Sequence, residues 1–222
     1  MDVFVVTPYY RADPAWLRQA HASVKAQTVP ARHILVCDGS ERVDLDGFDG
    51  EHIVLPRNYS DYGNTPRLIG CYLAISRGAD AIAFLDADNW FQPTHVADLL
   101  GFAEANGLDM CASARMLHRL DGTPMVKCPH VDGRRYIDTN CLLVRKTAFP
   151  HLVAWALAPQ EVAATGDQFL WKHMLRQGAR FGFLDRPTVA YRTRHAVHYR
   201  IAREPVPDDA ITRVDTHGER YC

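Results

Sequence analysis

The first half of the chain alternates short apolar runs with segments whose apolar residues recur at helical spacing. Val3 to Val6 is a run of β-branched and aromatic residues, which is typical of a buried strand. The segment 13–26 has a helical apolar stripe that includes Trp16, and it opens with Asp13-Pro14, a favourable helix start. The pattern predicts strands at 3–6, 33–37, 52–55 and 81–85, and helices at 13–26, 66–78 and 95–106.

The second half continues with strands and one further amphipathic helix, and ends in a polar, proline-bearing segment. Alternating strands and helices predict an α/β fold with a mostly parallel central sheet flanked by helices. Ligands of such sheets bind at the carboxyl ends of the strands, so Thr7-Pro8, Asp38-Gly39 and Asp86 to Asp88 are expected on one rim. The predicted strands here are 110–116, 136–144, 180–184 and 188–191, the helix is 166–177, and 41–50 is a loop.

The composition favours one domain and argues against a general nucleic-acid binder. The 222 residues carry a net charge of −1, without the basic excess of such proteins. We expect a single domain over 1–204, followed by a tail at 205–222. The six cysteines show no CxxC spacing, which favours reduced, buried thiols.

Two features of the sequence bear on location. No apolar run approaches the roughly 18 residues that a membrane-spanning helix needs. The beginning of the chain lacks the basic region of a signal peptide. These features predict a cytoplasmic protein without a transmembrane segment, and leave peripheral contact with the inner membrane surface open.

Two aspartates follow the most strand-like run of the chain without a spacer. Asp86 and Asp88 come directly after Ala81 to Leu85. Carboxylate oxygens are hard ligands suited to Mn²⁺ or Mg²⁺, and such a cation binds a diphosphate. A helix N-cap is the alternative, but the next helix is predicted to begin only near Thr94. Haloacid-dehalogenase-type phosphatases also carry Asp-x-Asp, but usually after their first strand.

Several motifs, in order and spacing, resemble the family-2 type of glycosyltransferase with the GT-A fold. VVTPYYR resembles the opening strand with its Pro-x-Tyr, VCDGS resembles Val-Asp-Asp-Gly-Ser, and FLDADN resembles the Asp-x-Asp strand end. The sequence departs from the second motif at Cys37. The resemblance covers about residues 3 to 200 and implies a Rossmann-like nucleotide-diphospho-sugar transferase. It also implies a nucleotide-sugar half at 1–105 and an acceptor half at 106–204.

The resemblance implies roles for individual residues on the donor side. Thr7, Pro8 and Tyr10 would line the nucleotide base, and Asp38 would contact the base or the ribose. Arg67 follows an Asn-x-x-Asp-x-Gly loop and would bind the nucleotide. The remaining donor-site residues are Asp86 at the ribose, Ala87 beside it, and Asp88 on the metal.

On the acceptor side, TGDQFLW resembles the family's stretch at the start of a helix. It makes Asp167 the general base, which takes the proton of the acceptor hydroxyl; a helix N-cap is the alternative. RTRHAVHYR offers His195 and His198 as further metal ligands without choosing between them. Arg192, Arg194 and Arg200 in this stretch are candidates to neutralise the diphosphate; the alternative is that they are solvated. Asp138 and Asn140 lie where the family often has a polar turn towards the acceptor.

The expected function is metal-dependent transfer of a sugar, with inversion, from a nucleotide-sugar donor (a UDP-sugar) to an acceptor hydroxyl. The acceptor is open between a glycan, a lipid-linked sugar, a peptide and a small molecule. The alternative is a degenerate domain of this fold that binds nucleotide or glycan without catalysis. A sugar-1-phosphate nucleotidylyltransferase is discounted, because no glycine-rich loop follows the first strand.

Overall fold

One nine-stranded sheet runs through residues 1–212, the part of the chain that the computed structural model describes. Helices pack against this sheet. The strands are β1 (Val3–Tyr9), β2 (Ala31–Cys37), β3 (Glu51–Val54), β4 (Ala81–Phe84), β5 (Trp90–Phe91), β6 (Met110–His118), β7 (Pro124–Lys127), β8 (Leu142–Arg145) and β9 (Phe181–Arg192). The helices are α1 (Pro14–Lys25), α2 (Asn64–Ser76), α3 (His95–Ala105), α4 (Ala154–Leu157), α5 (Gly166–Arg176) and α6 (Ala196–Ala202).

The strand order is β3-β2-β1-β4-β8-β6-β9-β5, with β7 paired to β6. β1 pairs in parallel with β2 and β4, and β2 pairs in parallel with β3. The helix α1 between β1 and β2 explains the first of these pairings, because a crossover helix returns the chain in the same direction; β2 and β3 are joined by the loop 38–50 instead. β8 runs antiparallel to both β4 and β6, while β6 and β9 are parallel. The predicted fold class, a mostly parallel α/β sheet flanked by helices, is confirmed.

Local chemistry explains where the first helix begins and why the core is continuous. The Asp13 side chain accepts a hydrogen bond from the Ala15 backbone N–H at 2.8 Å, as predicted for an N-cap. All seven residues of β1 are buried, which is expected of a strand with neighbours on both sides. Because β1 pairs in parallel with β2 and β4, the carboxyl ends of these three strands lie together at one edge of the sheet.

Two strand predictions in the second half were wrong in extent. Of the predicted strand 136–144, only residues 142–144 lie in a strand, β8, because the Asp138 side chain accepts the Asn140 backbone N–H and starts a 3-10 helix, Thr139–Cys141. The two short strands predicted between 180 and 191 are one long strand, β9. Its pairing with β6 shifts register near Ala114. The sequence pattern also missed β5, β7, α4 and α6, which are short or lie in polar segments.

Five cysteines are buried free thiols, in line with the prediction; the sixth, Cys222, lies outside the described residues. Within residues 1–212, none of the helices has the length and apolarity to cross a bilayer. Of the predicted tail, residues 213–222 also lie outside the described part. Ile211 pairs with His195 in a parallel bridge, so the tail is in contact with the domain up to that point. The domain boundaries stay a prediction.

Candidate active site

Three neighbouring parallel strands end at one cleft of about 670 Å³. Segments that leave the carboxyl ends of β1, β2 and β4 contribute to its lining, together with the loop 58–63 and the beginning of α2. This is the edge at which an α/β sheet is expected to bind ligands. The predicted donor-site residues that line the cleft are Pro8, Tyr10, Asp38, Arg67, Asp86, Ala87 and Asp88.

Thr7 is the exception among the predicted donor-site residues. Its side chain is fully buried, and its Oγ1 lies 2.8 Å from Nε2 of His33. The lining of the cleft therefore begins at Pro8 and not at Thr7. Conversely, Trp16 was assigned to the apolar stripe of α1 and instead lines the cleft, as does the exposed ring of Tyr62.

Asp38 follows β2 with its carboxylate buried at the cleft. Its Oδ1 accepts the Tyr59 backbone N–H at 3.1 Å, and burial raises the pKa of this carboxyl. Gly39 comes next with φ +68°, and a Cβ there would lie 2.0 Å from the carbonyl carbon of Arg57. Only glycine therefore fits beside Asp38. Cys37, where the chain departs from the family pattern, is fully buried and does not line the cleft.

Arg67 and Asp86 form an ion pair in the lining of the cleft. Nη2 of Arg67 donates to Oδ1 of Asp86 at 2.5 Å, and its Nη1 donates to the carbonyl oxygen of Tyr62 at 2.9 Å. The guanidinium lies 5.6 Å from the ring centroid of Trp155. This arrangement holds a buried cation at the cleft, where it can attract an anionic ligand such as a diphosphate.

Asp88 is half-buried, and its carboxylate faces the charge of Asp86. Burial, and then repulsion from Asp86, raises the pKa of Asp88 to about 7. Its backbone carbonyl accepts Nη1 of Arg192 at 2.6 Å. Arg192 also donates to Oε1 of Gln19 and to the carbonyl of Leu120. Arg192 therefore holds the chain at Asp88, and its contact with a diphosphate stays a prediction.

The two carboxylates of Asp86 and Asp88 fit a divalent cation only in part. A cation bound here would offset the negative charges of Asp86 and Asp88. Among the described residues, no group of three or more His, Cys, Asp or Glu side chains could hold a metal ion. Mg²⁺ commonly takes one or two protein carboxylates and completes its shell with substrate phosphates and water. The donor set therefore suits Mn²⁺ or Mg²⁺ that arrives with a diphosphate.

His198 does not present a free nitrogen to Asp88. It is fully buried, with Nδ1 2.5 Å from Oγ1 of Thr193 and Nε2 3.5 Å from Nη2 of Arg115. Burial and the nearby guanidinium lower the pKa of His198 to about 2. Both ring nitrogens are engaged inside the protein, which corrects the predicted ligand role of His198. His195 is half-buried with its ring 5.5 Å from that of His198, and its ligand role stays a prediction.

Asp167 is the second residue of α5 and is half-buried. Burial, and then the negative charge of Asp138, raises the pKa of Asp167 to about 7. Its Oδ1 accepts the neighbouring Gln168 N–H at 2.7 Å, so it lies inside the helix and not at the N-cap. The residue at the N-cap position, Thr165, makes no side-chain capping bond. Asp167 is outside the lining of the donor cleft, and its role as the general base stays a prediction.

The segment that carries Asp167 is fixed against the donor side. Nδ2 of Asn64, at the start of α2, donates to the carbonyl of Ala163 at 3.0 Å. Gly166 packs so closely on Asn64 that a Cβ would lie 2.2 Å from its Oδ1. Nε2 of Gln160 donates to the carbonyl of Ser60 in the cleft loop. These contacts join the two halves of the site, and no local sequence pattern indicates them.

Residues 4–157 match the sequence profile of Glycosyl transferase family 2. The chain belongs to this family. The match covers β1 to β8 and the whole donor cleft, including Asp38, Arg67 and Asp86 to Asp88. The family predicted from the sequence motifs is confirmed.

Relatives of this family 2 chain agree with the assignment. Over 99 residues it is 34% identical to the succinoglycan biosynthesis protein ExoW of Rhizobium meliloti (strain 1021), which covers 41% of this chain and 31% of ExoW. The crystal structure of S. aureus TarS 1–349 with UDP superposes with a TM-score of 0.66 at 18% identity, over 90% of this chain and 63% of that one. The complex of TarS 1–349 with UDP-GlcNAc gives 0.65 at 16% identity, over 87% and 59%. The chain thus spans less than two thirds of each of these proteins.

Proposed function

We propose that this family 2 chain transfers a sugar from a UDP-sugar to a hydroxyl group of an acceptor, with Mn²⁺ or Mg²⁺ at Asp88. One observation carries the proposal. Asp38, the Arg67–Asp86 ion pair and Asp88 meet in one cleft at the ends of three parallel strands. The UDP and UDP-GlcNAc complexes of TarS support uridine as the nucleoside of the donor.

Different residues of the cleft bind different parts of the donor. Asp38 accepts hydrogen bonds from the base or the ribose, and Pro8 and Tyr10 lie beside the base. Asp86 accepts from a ribose hydroxyl, because a carboxylate oxygen can accept more than one hydrogen bond. Asp88 would hold a divalent cation, which would neutralise charge on the diphosphate. Arg67 adds a fixed positive charge on the same side.

Transfer requires a base for the acceptor, and Asp167 is the candidate. Its carboxylate takes the proton of the acceptor hydroxyl as the hydroxyl oxygen forms a bond to the anomeric carbon. The bond from that carbon to the diphosphate breaks, and the electron pair leaves with UDP. A single displacement of this kind inverts the anomeric centre. The raised pKa of Asp167 suits a base that works near neutral pH.

A thermal-shift screen of nucleoside diphosphates, with and without Mn²⁺, tests the proposal. A ligand that binds only the folded state stabilises it by mass action, by about 2.7 kcal/mol at a hundred times its Kd. We expect UDP to raise the melting temperature in the presence of Mn²⁺, and ADP and GDP to have little effect. A metal-dependent shift with another nucleotide would keep the transferase but replace the donor. The absence of any shift would reject the donor site.

UDP binding without turnover would favour the degenerate-domain alternative. We therefore expect UDP release from UDP-GlcNAc in a coupled assay, with water or an added sugar as the acceptor. If UDP binds but none of several UDP-sugars is turned over with acceptors of each of the four classes, the degenerate-domain alternative replaces the transferase. The acidic residues Asp88 and Asp167, both with a pKa raised to about 7, argue for catalysis.

The pH dependence of turnover follows from Asp167. A base acts in its deprotonated form, so its raised pKa leaves it mostly protonated at pH 5.5 and ionised at pH 8. We expect the rate at pH 5.5 to be about thirtyfold lower than at pH 8, with a slope of one per pH unit below 7. Rates measured at saturating UDP-GlcNAc and Mn²⁺ separate this from loss of binding. A flat profile between pH 5.5 and 8 would contradict the assignment of the base.

A further inference from the structure

One buried amide contacts Asp86 at two points. Oδ1 of Asn140 accepts the Asp86 backbone N–H at 2.6 Å, and Nδ2 of Asn140 donates to Oδ2 of Asp86 at 2.8 Å. The same side chain thus fixes both the main chain after β4 and the direction of the carboxylate. Asn140 itself is only 1% exposed and does not line the cleft.

The amide is held from behind by a buried ion pair. Oδ1 of Asp138 accepts both the backbone N–H and Nδ2 of Asn140, each at 2.8 Å. Its Oδ2 pairs with Nη1 of Arg115, which is fully buried on β6. The guanidinium of Arg115 lies 3.9 Å from the ring centroid of Tyr191. A continuous polar chain therefore runs from the interior of the sheet to the cleft.

The two oxygens of Asp86 are held from opposite sides. Arg67 donates to Oδ1 and Asn140 donates to Oδ2. Each oxygen keeps capacity to accept a further hydrogen bond from a ligand. A carboxylate held in this way does not have to be reoriented when a ligand binds, which lowers the entropy cost of binding. The pairing of β8 with β4 brings residue 140 to residue 86.

We infer that Asn140 is a positioning residue of the donor site, which orients Asp86 towards the ribose and is itself fixed by the Asp138–Arg115 ion pair. The inference rests on the proposed function. It also replaces the expectation that Asp138 and Asn140 contact the acceptor, because both are buried in contacts within the protein.

The test compares substitutions of two buried amide side chains, Asn140 and Gln27. For each variant it compares the fall in melting temperature with the loss of affinity for UDP. Asn140→Ala removes the contacts with Asp86. Gln27→Ala is the matched control, because the Gln27 side chain makes three hydrogen bonds, to Ser23, Gln92 and Val96, outside the cleft lining. UDP binding is measured by calorimetry with Mn²⁺, and the melting temperature of each ligand-free protein is recorded.

We expect both variants to melt at lower temperature, and only Asn140→Ala to bind UDP about tenfold more weakly. A tenfold loss of affinity corresponds to the loss of about one hydrogen bond to a charged group. If Asn140→Ala does not fold, Asn140→Ser is measured instead, with an expected loss of about threefold or more. UDP affinity within twofold of wild type in the folded variant would overturn the inference. If wild type and Gln27→Ala both fail to bind UDP, the proposed function fails, and the inference with it.

Discussion

Replacing Asp167 by asparagine is expected to lower turnover of UDP-GlcNAc by about 10²- to 10⁴-fold, the usual contribution of a general base. Asparagine has nearly the same shape but cannot take a proton. Asp167 does not line the donor cleft, so the affinity for UDP should stay within about twofold of wild type. UDP release at saturating donor and calorimetry with UDP and Mn²⁺ measure the two quantities separately.

Asp98→Asn is the matched control for this substitution. Asp98, like Asp167, is a carboxylate in the first turn of a helix, and it pairs with Thr94 and Arg186 away from the cleft. It controls for the loss of a negative charge near a helix N-terminus, which costs a few tenths to about 1 kcal/mol of stability. Turnover by Asp167→Asn equal to that of Asp98→Asn would remove Asp167 from the reaction.

The donor half of the site could be predicted because its residues follow strands. Asp38 and the Asp86–Asp88 pair each come directly after an apolar run. Parallel strands place their carboxyl ends at one edge, so residues that are about 50 positions apart in sequence meet in the cleft. The order of the strands is not needed for this argument, which is why it holds without knowledge of the pairings of β8 and β9.

The buried contacts that hold Asp86 in place could not be predicted, because they depend on pairing between strands that are distant in sequence. Arg115, Asp138 and Asn140 are contiguous only because β8 lies between β4 and β6. In the sequence, Asp138 and Asn140 look like a polar turn at the surface. The sequence of residues 138–140 does not show that the buried Arg115 forms an ion pair with Asp138.

The contacts of His198 could not be predicted from the sequence either. His198 lies in a basic, polar stretch that suggests contact with solvent or with a metal, but α6 turns its ring inwards to Thr193 and Arg115.

The backbone conformation of the cleft loop 58–63 could not be predicted from the sequence either. Ser60 and Tyr62 both have positive φ values, 54° and 58°, which sequence patterns for residues other than glycine do not predict. Tyr62 reaches the cleft through this backbone conformation.

Replacing Asp88 by alanine is expected to abolish the part of the UDP-induced rise in melting temperature that depends on Mn²⁺. Asp88 is the carboxylate proposed to hold the cation, and the described residues offer no three-ligand cluster in its place. The thermal shift of wild type and variant is compared at equal UDP, with and without Mn²⁺. Asp46→Ala, an exposed carboxylate outside the cleft lining, controls for the change in net charge.

The ligand-free Asp88→Ala protein provides an internal check on this result. A carboxyl whose pKa is raised on folding opposes folding increasingly as the pH rises above its unfolded-state pKa, and this cost is complete above its folded-state pKa. At pH 8, above the pKa of about 7, Asp88 is ionised beside Asp86, and its removal relieves the repulsion. We therefore expect the variant to melt at the same temperature as wild type at pH 8, or higher. A variant that melts lower and still shows the Mn²⁺-dependent shift would place the cation elsewhere in the protein.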